Sequence, residues 1–418
     1  MPVTFRASLL AAILGAALPA AAAADDVVVG VMYPLTGSAA STGLELKNAA
    51  QLAADLINGT DKSLALPLVG GGGLPGLKGA KLKLIFVDHQ GNPQVGATEA
   101  ERLITQEKVA AIQGAYFSSV TQTASQTAER YGVPFLNADS SSVGLTQRGF
   151  KWFFRTTPHD ELFVQNAFEF LKDLQKKKGI KVHRVAILAE NTEFGTGAAR
   201  LQEQYAKENG YEVVAKILYP PKGTQLTSEV QKLKAARPDV VFQSSYLADA
   251  ILSMRTYKDL GFLPTALLAN DAGFNDSEFL KTMGKDGNYV ISREVWALDL
   301  AAQKPVIGKA NDIYKARHGV NFNGNSARAF TGIFALADAI NRAGSTKPEA
   351  IQAALKATNL GADQLIMPWG GIQFDENGQN KKGAGIIVQV QDGKYVTVWP
   401  VAPGTKDVVW PLPAWEGR

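Results

Sequence analysis

The sequence contains no cysteine and little histidine. Without Cys it has no disulfide, no thiolate chemistry, no Cys-ligated metal and no lipid-modified N-terminal cysteine. The 4 histidines are His89, His159, His183 and His318. They are scattered without the spacing of metal ligands or a partnered base, so each is more typical of a surface or loop position than of catalysis. We therefore expect no metal site.

Charge of one sign and enzyme motifs are also scarce. The net charge is only +4 with 20% charged residues, which argues against nucleic acid as a partner. Walker A and G-x-S-x-G motifs are absent. Residues 71–76, GGGLPG, match a dinucleotide fingerprint, but Pro75, Gly79 and a strand follow instead of a helix, which favours a surface loop. The sequence thus predicts neither an enzyme nor a cofactor.

Only the N-terminus carries a long apolar run. Residues 1–24 combine Arg6, an apolar stretch and alanines, with Asp25 and Asp26 following. An A-x-A-like site near Ala22–Ala24 predicts a cleaved secretory signal peptide. The alternative, a membrane anchor, is disfavoured because the run is too short to span a bilayer. A signal peptide without a lipid-attachment cysteine predicts a free periplasmic protein.

A short structural plan occurs twice in the chain. Residues 109–142 and 239–273 each read as strand, polar turn, helix, Gly/Pro break, strand and polar turn. Apolar strands alternating with amphipathic helices indicate parallel βαβ units. The length of 418 residues exceeds that of most single cores, so two lobes are expected. The predicted class is α/β, with two doubly wound Rossmann-like lobes.

Two strand-like segments are candidates for the connections between the lobes. These are Phe153–Thr157 and Asn288–Trp296, and Asp392-Gly393 marks a hairpin turn near the C-terminus. We expect crossover strands to join the lobes. The predicted first lobe comprises residues 25–156 plus 296–364, and the second comprises residues 157–295 plus 365–418.

Polar residues follow two predicted strands of the first lobe. Ser118 and Ser119 lie between a strand and a helix, and Ser140 and Ser141 end the next strand. In open α/β sheets ligands bind outside the carboxyl ends of strands. A helix N-terminus with hydroxyl donors there favours an anion. The alternative interpretation is that a serine simply caps the helix.

The second lobe offers an acidic and two aromatic candidates. Asp271 follows a strand and supplies a negative charge opposite the serines, and Phe194 and Tyr246 are placed to wall the cleft. Donors on one side and a carboxylate on the other suit a zwitterion. The alternatives are an N-cap or turn role for Asp271 and core packing for the aromatic residues.

Four segments resemble the leucine/isoleucine/valine-binding proteins, which are type I periplasmic substrate-binding proteins of ABC importers. The segments are residues 29–43 (VGVMYPLTGSAASTG), 114–125 (GAYFSSVTQTAS), 145–155 (LTQRGFKWFFR) and 190–197 (ENTEFGTG). The resemblance covers nearly the whole chain in order. It implies a periplasmic clamp that binds a hydrophobic or branched-chain amino acid and delivers it to an ABC permease.

The resemblance also implies roles for individual residues. Ser118 and Ser141 correspond to the hydroxyl residues that hold the ligand carboxylate, and Ser140 adds a backbone contact. Asp271 stands where an acidic residue holds the ammonium. Phe194 and Tyr246 stand where aromatic residues line the second lobe.

The side-chain pocket departs from the family pattern. Thr42 replaces a bulky aromatic residue, Tyr116 and Phe117 replace smaller ones, and Asn325 lies near an expected aromatic position. The family's disulfide is absent. Membership thus implies uptake but leaves the ligand open, and aromatic or other small carboxylates are alternatives. A receptor-linked sensing module is a further alternative. The expected protein is a monomer.

Overall fold

The fold is described by a computed structural model that covers residues 25–418 together with residues 1 and 3. The predicted signal peptide, residues 1–24, otherwise lies outside the described residues. The strands are β1 (Val27–Tyr33), β2 (Leu82–Asp88), β3 (Ala111–Gly114), β4 (Phe135–Asn137), β5 (Phe153–Arg155), β6 (Arg184–Glu190), β7 (Glu212–Tyr219), β8 (Val240–Ser244), β9 (Ala266–Ala269), β10 (Ile291–Glu294), β11 (Asn359–Gly361), β12 (Gly371–Gln373), β13 (Ile386–Gln391) and β14 (Lys394–Trp399).

The strands form two large sheets. The first is parallel with the order β2-β1-β3-β4-β5. The second has the order β14-β13-β10-β9-β8-β6-β7, in which β13 and β14 are the antiparallel members. Strands β11 and β12 pair separately. One parallel sheet and one mostly parallel sheet, with intervening helices, confirm the predicted α/β class with two Rossmann-like halves.

Helices cover the sheets. They are α1 (Ala40–Asn58), α2 (Pro93–Thr105), α3 (Ser118–Tyr131), α4 (Asp160–Lys178), α5 (Glu193–Glu208), α6 (Thr227–Ala236), α7 (Leu247–Asp259), α8 (Ser277–Met283), α9 (Pro305–His318), α10 (Gly324–Ala343) and α11 (Pro348–Lys356). No helix in residues 25–418 is both long and apolar enough to cross a membrane.

Burial on both faces explains the apolar strands. In β6, Val185 and Ile187 pack into one hydrophobic core and Ala186 and Leu188 into the core on the opposite face. Successive side chains of a strand point to opposite faces, so a strand covered on both sides reads as a continuous apolar run. This is why continuous apolar runs identified the strands of the repeat.

The segment after α11 packs differently from the expected division of the chain. Leu365 and Phe374 belong to the hydrophobic core around the first sheet, and β13 then joins the second sheet. The domain boundaries remain a prediction, and this packing favours a return to the second half after residue 374. The antiparallel β13–β14 pair agrees with the turn expected at Asp392-Gly393.

A polar cluster links helices α1, α8 and α10. Thr42 Oγ1 donates to Asp276 Oδ2 over 2.5 Å, and Asn323 Nδ2 donates to Glu45 Oε2 over 2.6 Å. Asp276 is the N-cap of α8 and Asn323 that of α10. Burial, with a smaller contribution from the neighbouring Asp276, raises the pKa of Glu45 to about 8. The folded protein therefore favours the protonated form of Glu45.

We expect the raised pKa of Glu45 to make stability depend on pH. The pKa of Glu is 4.5 in the unfolded chain and about 8 for folded Glu45. Between these pH values the unfolded state holds fewer protons, so the free energy of unfolding falls as pH rises. Glu45→Gln keeps an acceptor for Asn323 and should flatten this decline. The measurement is the melting temperature at about pH 5 and about pH 8. Exposed Glu349→Gln is the control; an unchanged pH slope in Glu45→Gln would contradict the assignment.

Candidate ligand-binding site

Two chambers lie where the carboxyl ends of the two sheets face each other. The inner chamber has a volume of about 20 Å³ and the outer chamber one of about 290 Å³, and Tyr246 lines both. The inner chamber is lined by Tyr116, Ser118, Asp139, Ser140, Ser141, Phe194, Tyr246, Asp271, Ala272, Arg293 and Arg328. Seven of the nine residues predicted from the sequence therefore lie in the inner chamber.

Ser118 presents a free hydroxyl to the inner chamber. It is the first residue of α3, whose N-cap is Phe117 and has no side-chain capping bond. Ser118 is buried, and its Oγ has no hydrogen-bond partner among the described residues. The capping alternative therefore does not account for Ser118. Its hydroxyl and the N-terminus of α3 form a donor pair on the first-sheet side.

The neighbouring serines already have partners. Ser140 Oγ donates to the Tyr116 carbonyl over 2.9 Å and lies 2.6 Å from Thr121 Oγ1. Ser141 Oγ accepts a hydrogen bond from Arg293 Nη2 over 3.3 Å. Ser140 thus fixes the backbone after β3, whereas Ser141 links the first-sheet side to the second.

The Asp271 carboxylate is held by two buried arginines. Its Oδ2 accepts from Arg293 Nη1 over 2.6 Å and from Arg328 Nη1 over 2.7 Å, and its Oδ1 accepts from Asn275 Nδ2 over 2.9 Å. Asp271 stands at an N-cap position but makes no side-chain capping bond. The N-cap alternative is therefore not its role, and an ammonium would have to share this carboxylate with two guanidinium groups.

The sequence reasoning missed the two arginines. Arg293 lies in β10, which the sequence presented as a connecting strand, and Arg328 lies in α10 between apolar residues. Both are about as buried as the core, at 3% and 2% exposure. A charged residue inside an apolar helix is rare unless it is paired, and that was the available signal.

Aromatic rings separate the two chambers. The Tyr246 ring centroid lies 4.2 Å from that of Phe117, 5.3 Å from that of Phe194 and 5.4 Å from that of Tyr116. The Tyr246 amide donates to Glu190 Oε1 over 2.5 Å, which fixes the start of α7. Aromatic rings at these centroid distances attract one another, and together they present an apolar wall to a bound group.

The backbone is strained on both sides of the inner chamber. Tyr116 has φ +75° and Asp271 has φ +58°, and Ala272 follows with φ +53°. Each left-handed non-glycine residue costs of order 1–3 kcal/mol, and such residues cluster at functional sites. Tyr116 follows β3 and Asp271 follows β9, so the strain lies at the strand ends that line the chamber.

The remaining predicted residues lie elsewhere. Ser119 lines the outer chamber, which also contains Lys222 and Asp249. Thr42 lines neither chamber because it is buried in α1 with its hydroxyl on Asp276. Asn325 accepts a hydrogen bond from Arg328 Nη2 and so positions that arginine.

Among the four histidines, His89 occupies a loop position that is buried. His89 follows β2 but is fully buried, and its Nε2 lies 2.8 Å from the Ala115 carbonyl. Burial lowers the pKa of His89 to about 4, so it is neutral near pH 7. Within residues 25–418, no three His, Asp or Glu side chains form a group that could hold a metal ion.

Burial also shifts the carboxyl groups around the arginines. It raises the pKa of Asp139 to about 7, although Arg328 acts in the opposite direction. Burial, with a smaller contribution from Asp271, raises the pKa of Glu294 to about 8. The pKa of Arg328 is raised by the surrounding carboxylates despite its burial. Burial lowers the pKa of Arg293, although Asp271 and Asp160 act in the opposite direction. The two nearby carboxyl groups, Asp139 and Glu294, lean toward the neutral form.

Comparison with known proteins identifies the family. The family described as "Periplasmic binding protein" matches residues 26–394. The chain belongs to this family. The Leu/Ile/Val-binding protein homolog 7 of Brucella suis is 30% identical over 409 residues, which cover 96% of this chain and 98% of the relative. The resemblance expected from the sequence is thereby confirmed.

Solved structures share the fold of this periplasmic binding protein. The leucine-binding protein LivK of Thermotoga maritima superposes with a TM-score of 0.75 at 22% identity and covers 89% of this chain and 97% of its own. A Rhodopseudomonas palustris ABC transporter solute-binding protein in complex with benzoate gives 0.74 at 16% identity, covering 89% and 95%. These similarities show the fold.

We expect Asp271→Ala to destabilise the protein without any ligand. Removing one member of a buried ion pair typically costs 3–5 kcal/mol because the partner charge is left uncompensated, and here two arginines lose their shared acceptor. Urea unfolding monitored by circular dichroism measures the loss.

The control for this prediction is Asp55→Ala, which breaks an exposed ion pair with Arg317. Exposed pairs contribute about 0–1 kcal/mol. Equal losses in Asp271→Ala and Asp55→Ala would show that the Asp271 pairs contribute little to stability.

Proposed function

We propose that this protein is an extracytoplasmic solute-binding protein that captures a hydrophobic or branched-chain amino acid and delivers it to an ABC permease. The observation that carries the proposal is the convergence of strand-end groups from both sheets on one chamber, with Ser118 on one side and Asp271 on the other. The family and the name of the Brucella relative support it. The proposal needs no chemical step and no cofactor.

The binding chemistry follows from the chamber. The Ser118 hydroxyl and the N-terminus of α3 suit a carboxylate, because backbone N–H groups and the helix dipole favour negative charge. Phe194 and Tyr246 offer apolar surface to the rest of the ligand. Burying that surface contributes roughly 25 cal/mol per Å². Together these groups recognise a small amphipathic acid.

Capture requires the two halves of the protein to move. Small-ligand sites usually measure roughly 300–1,000 Å³, and the inner chamber at about 20 Å³ holds little more than a water molecule. Bonds that cross the cleft, such as Ser142 Oγ to Glu193 Oε1 at 2.8 Å, keep it narrow. We propose that a ligand enters an open form and stabilises a closed form, which the permease recognises.

A second candidate ligand class is aromatic or other small carboxylates without an amino group. The specific observation in its favour is that Asp271, the expected ammonium acceptor, is engaged by Arg293 and Arg328. One solved structure of the same fold was obtained with benzoate. Both classes share the carboxylate, so Ser118 has the same role in each.

Thermal unfolding with added ligands tests the proposed function. Leucine, isoleucine, valine and benzoate are each added in excess, and at about 100 times its dissociation constant a ligand adds about 2.7 kcal/mol to stability. Small-angle scattering of the stabilised sample should show a smaller radius of gyration because the halves close. Stabilisation by none of the four compounds, or stabilisation with an unchanged radius, would contradict the proposal.

Ser118→Ala supplies a matched variant for the same test. It removes a hydroxyl that we expect to hold the carboxylate, so affinity for the stabilising compound should fall by about 10-fold, as one lost hydrogen bond to a charged group costs about 1.5 kcal/mol. Ser63→Ala, at an exposed serine, is the control. Isothermal titration calorimetry measures both. Equal affinities in Ser118→Ala and Ser63→Ala would remove Ser118 from the site.

A further inference from the structure

We propose that Arg328, together with Arg293, makes the inner chamber a receptor for an anionic group. Carboxylates that lack an α-amino group therefore bind in preference to the α-amino acids with the same side chain. The inference rests on the proposed function and decides between its two ligand classes. Its basis is the arrangement of donors and acceptors around Asp271.

The acceptor oxygens of Asp271 are already occupied by donors of the protein. Asp271 is 1% exposed, and its two oxygens already accept three hydrogen bonds from Arg293, Arg328 and Asn275. An ammonium at Asp271 would lie beside two guanidinium groups that approach the same oxygen within 2.7 Å. Three cations around one carboxylate repel one another, and the buried setting screens that repulsion little. Asp271 therefore serves as the counter-ion of the arginines.

Residues that line the inner chamber carry buried donors without acceptors in the described part of the chain. Arg328 Nε, Tyr116 Oη and Ser118 Oγ are buried and without a hydrogen-bond partner among the residues described. The nearest carboxylate oxygen to Arg328 Nε is Asp139 Oδ1 at 3.7 Å, beyond hydrogen-bond range. All three groups line the inner chamber, as Asp139 does. A ligand oxygen that accepts from them supplies partners that the protein lacks.

The charges of Arg293 and Arg328 are only partly balanced by the carboxyl groups around them. Four carboxyl groups face the two arginines: Asp139, Asp160, Asp271 and Glu294. Asp271 is shared by both arginines, and Asp160 lies 3.6 Å from Arg293. Burial raises the pKa of Asp139 to about 7 and that of Glu294 to about 8. Arg328 thus shares with Arg293 the one carboxylate of residues 25–418 that lies within hydrogen-bond range of it, Asp271, and an anionic ligand supplies a second.

A purely structural role for the arginines makes a different prediction. Arg328 comes from α10, which packs on the first sheet, and Asp271 follows β9 of the second sheet. Their bond therefore crosses the cleft and also helps to hold it closed. Loss of such a bond weakens all ligands alike, whereas loss of an anion receptor changes the preference between ligand classes. The selectivity ratio separates the two roles.

Ligand pairs that differ only by the amino group measure that ratio. The pairs are isocaproate with leucine, and hydrocinnamate with phenylalanine, titrated by calorimetry against the wild-type protein. We expect the acid to bind at least about 10-fold tighter than its amino acid in one or both pairs, equivalent to about 1.4 kcal/mol. Tighter binding of the amino acids, or a ratio below tenfold in both pairs, overturns the inference and leaves the proposed function standing. Binding of none of the four compounds overturns the inference, and the proposed function falls with it only if isoleucine, valine and benzoate also fail to bind.

Arg328→Gln tests the residue itself. It keeps a side-chain donor but removes the charge and frees one position on Asp271, so the acid should lose at least about 10-fold in affinity while the amino acid loses less. Arg342→Gln, at a more exposed position of the same helix, is the control. A parallel loss for acid and amino acid assigns Arg328 to cleft closure and overturns its role in selectivity. If Arg328→Gln does not fold, the wild-type ratio still decides.

Discussion

The ion pairs of Asp271 connect the two halves of the protein. Arg293 comes from β10 of the second sheet and Arg328 from α10 on the first, and both bind the same carboxylate oxygen. Burying three charges is expensive, and their attraction repays that cost only with good geometry and additional hydrogen bonds. Asn270 and Asn275 supply such bonds to this cluster. The position of the cleft walls depends on this cluster.

The site is built outward from those charges. The strand ends after β3 and β9 adopt left-handed backbone at Tyr116 and Asp271, which turns their side chains toward one chamber. Such strain persists only where surrounding contacts fix it, and the Ser140 hydroxyl on the Tyr116 carbonyl is one such contact. Tyr246 and its aromatic neighbours then separate the inner chamber from the outer one. Rigid sheets carry the site, and movement between the two halves gives access to it.

Much of the fold could be predicted from local sequence. Strands buried on both faces are continuous apolar runs, helices carry a stripe of period 3.6, and polar residues follow the strands, as at Ser118 and Ser141. Asp392-Gly393 marked a hairpin because its turn needs left-handed backbone. Short elements were missed, including α8 and the β11–β12 pair. They have too few residues to show a period, and their pairing depends on distant segments.

The sequence by itself determined the α/β architecture and which strand ends face the cleft, because both follow from local periodicity and the chemistry of turns. Only the tertiary structure decided the partners of those strand-end groups. Asp271 and Arg328 are 57 positions apart along the chain, and Thr42 meets Asp276 instead of the chamber. Charge pairing acts through space between elements that the chain brings together only on folding, so local patterns do not show which residues pair.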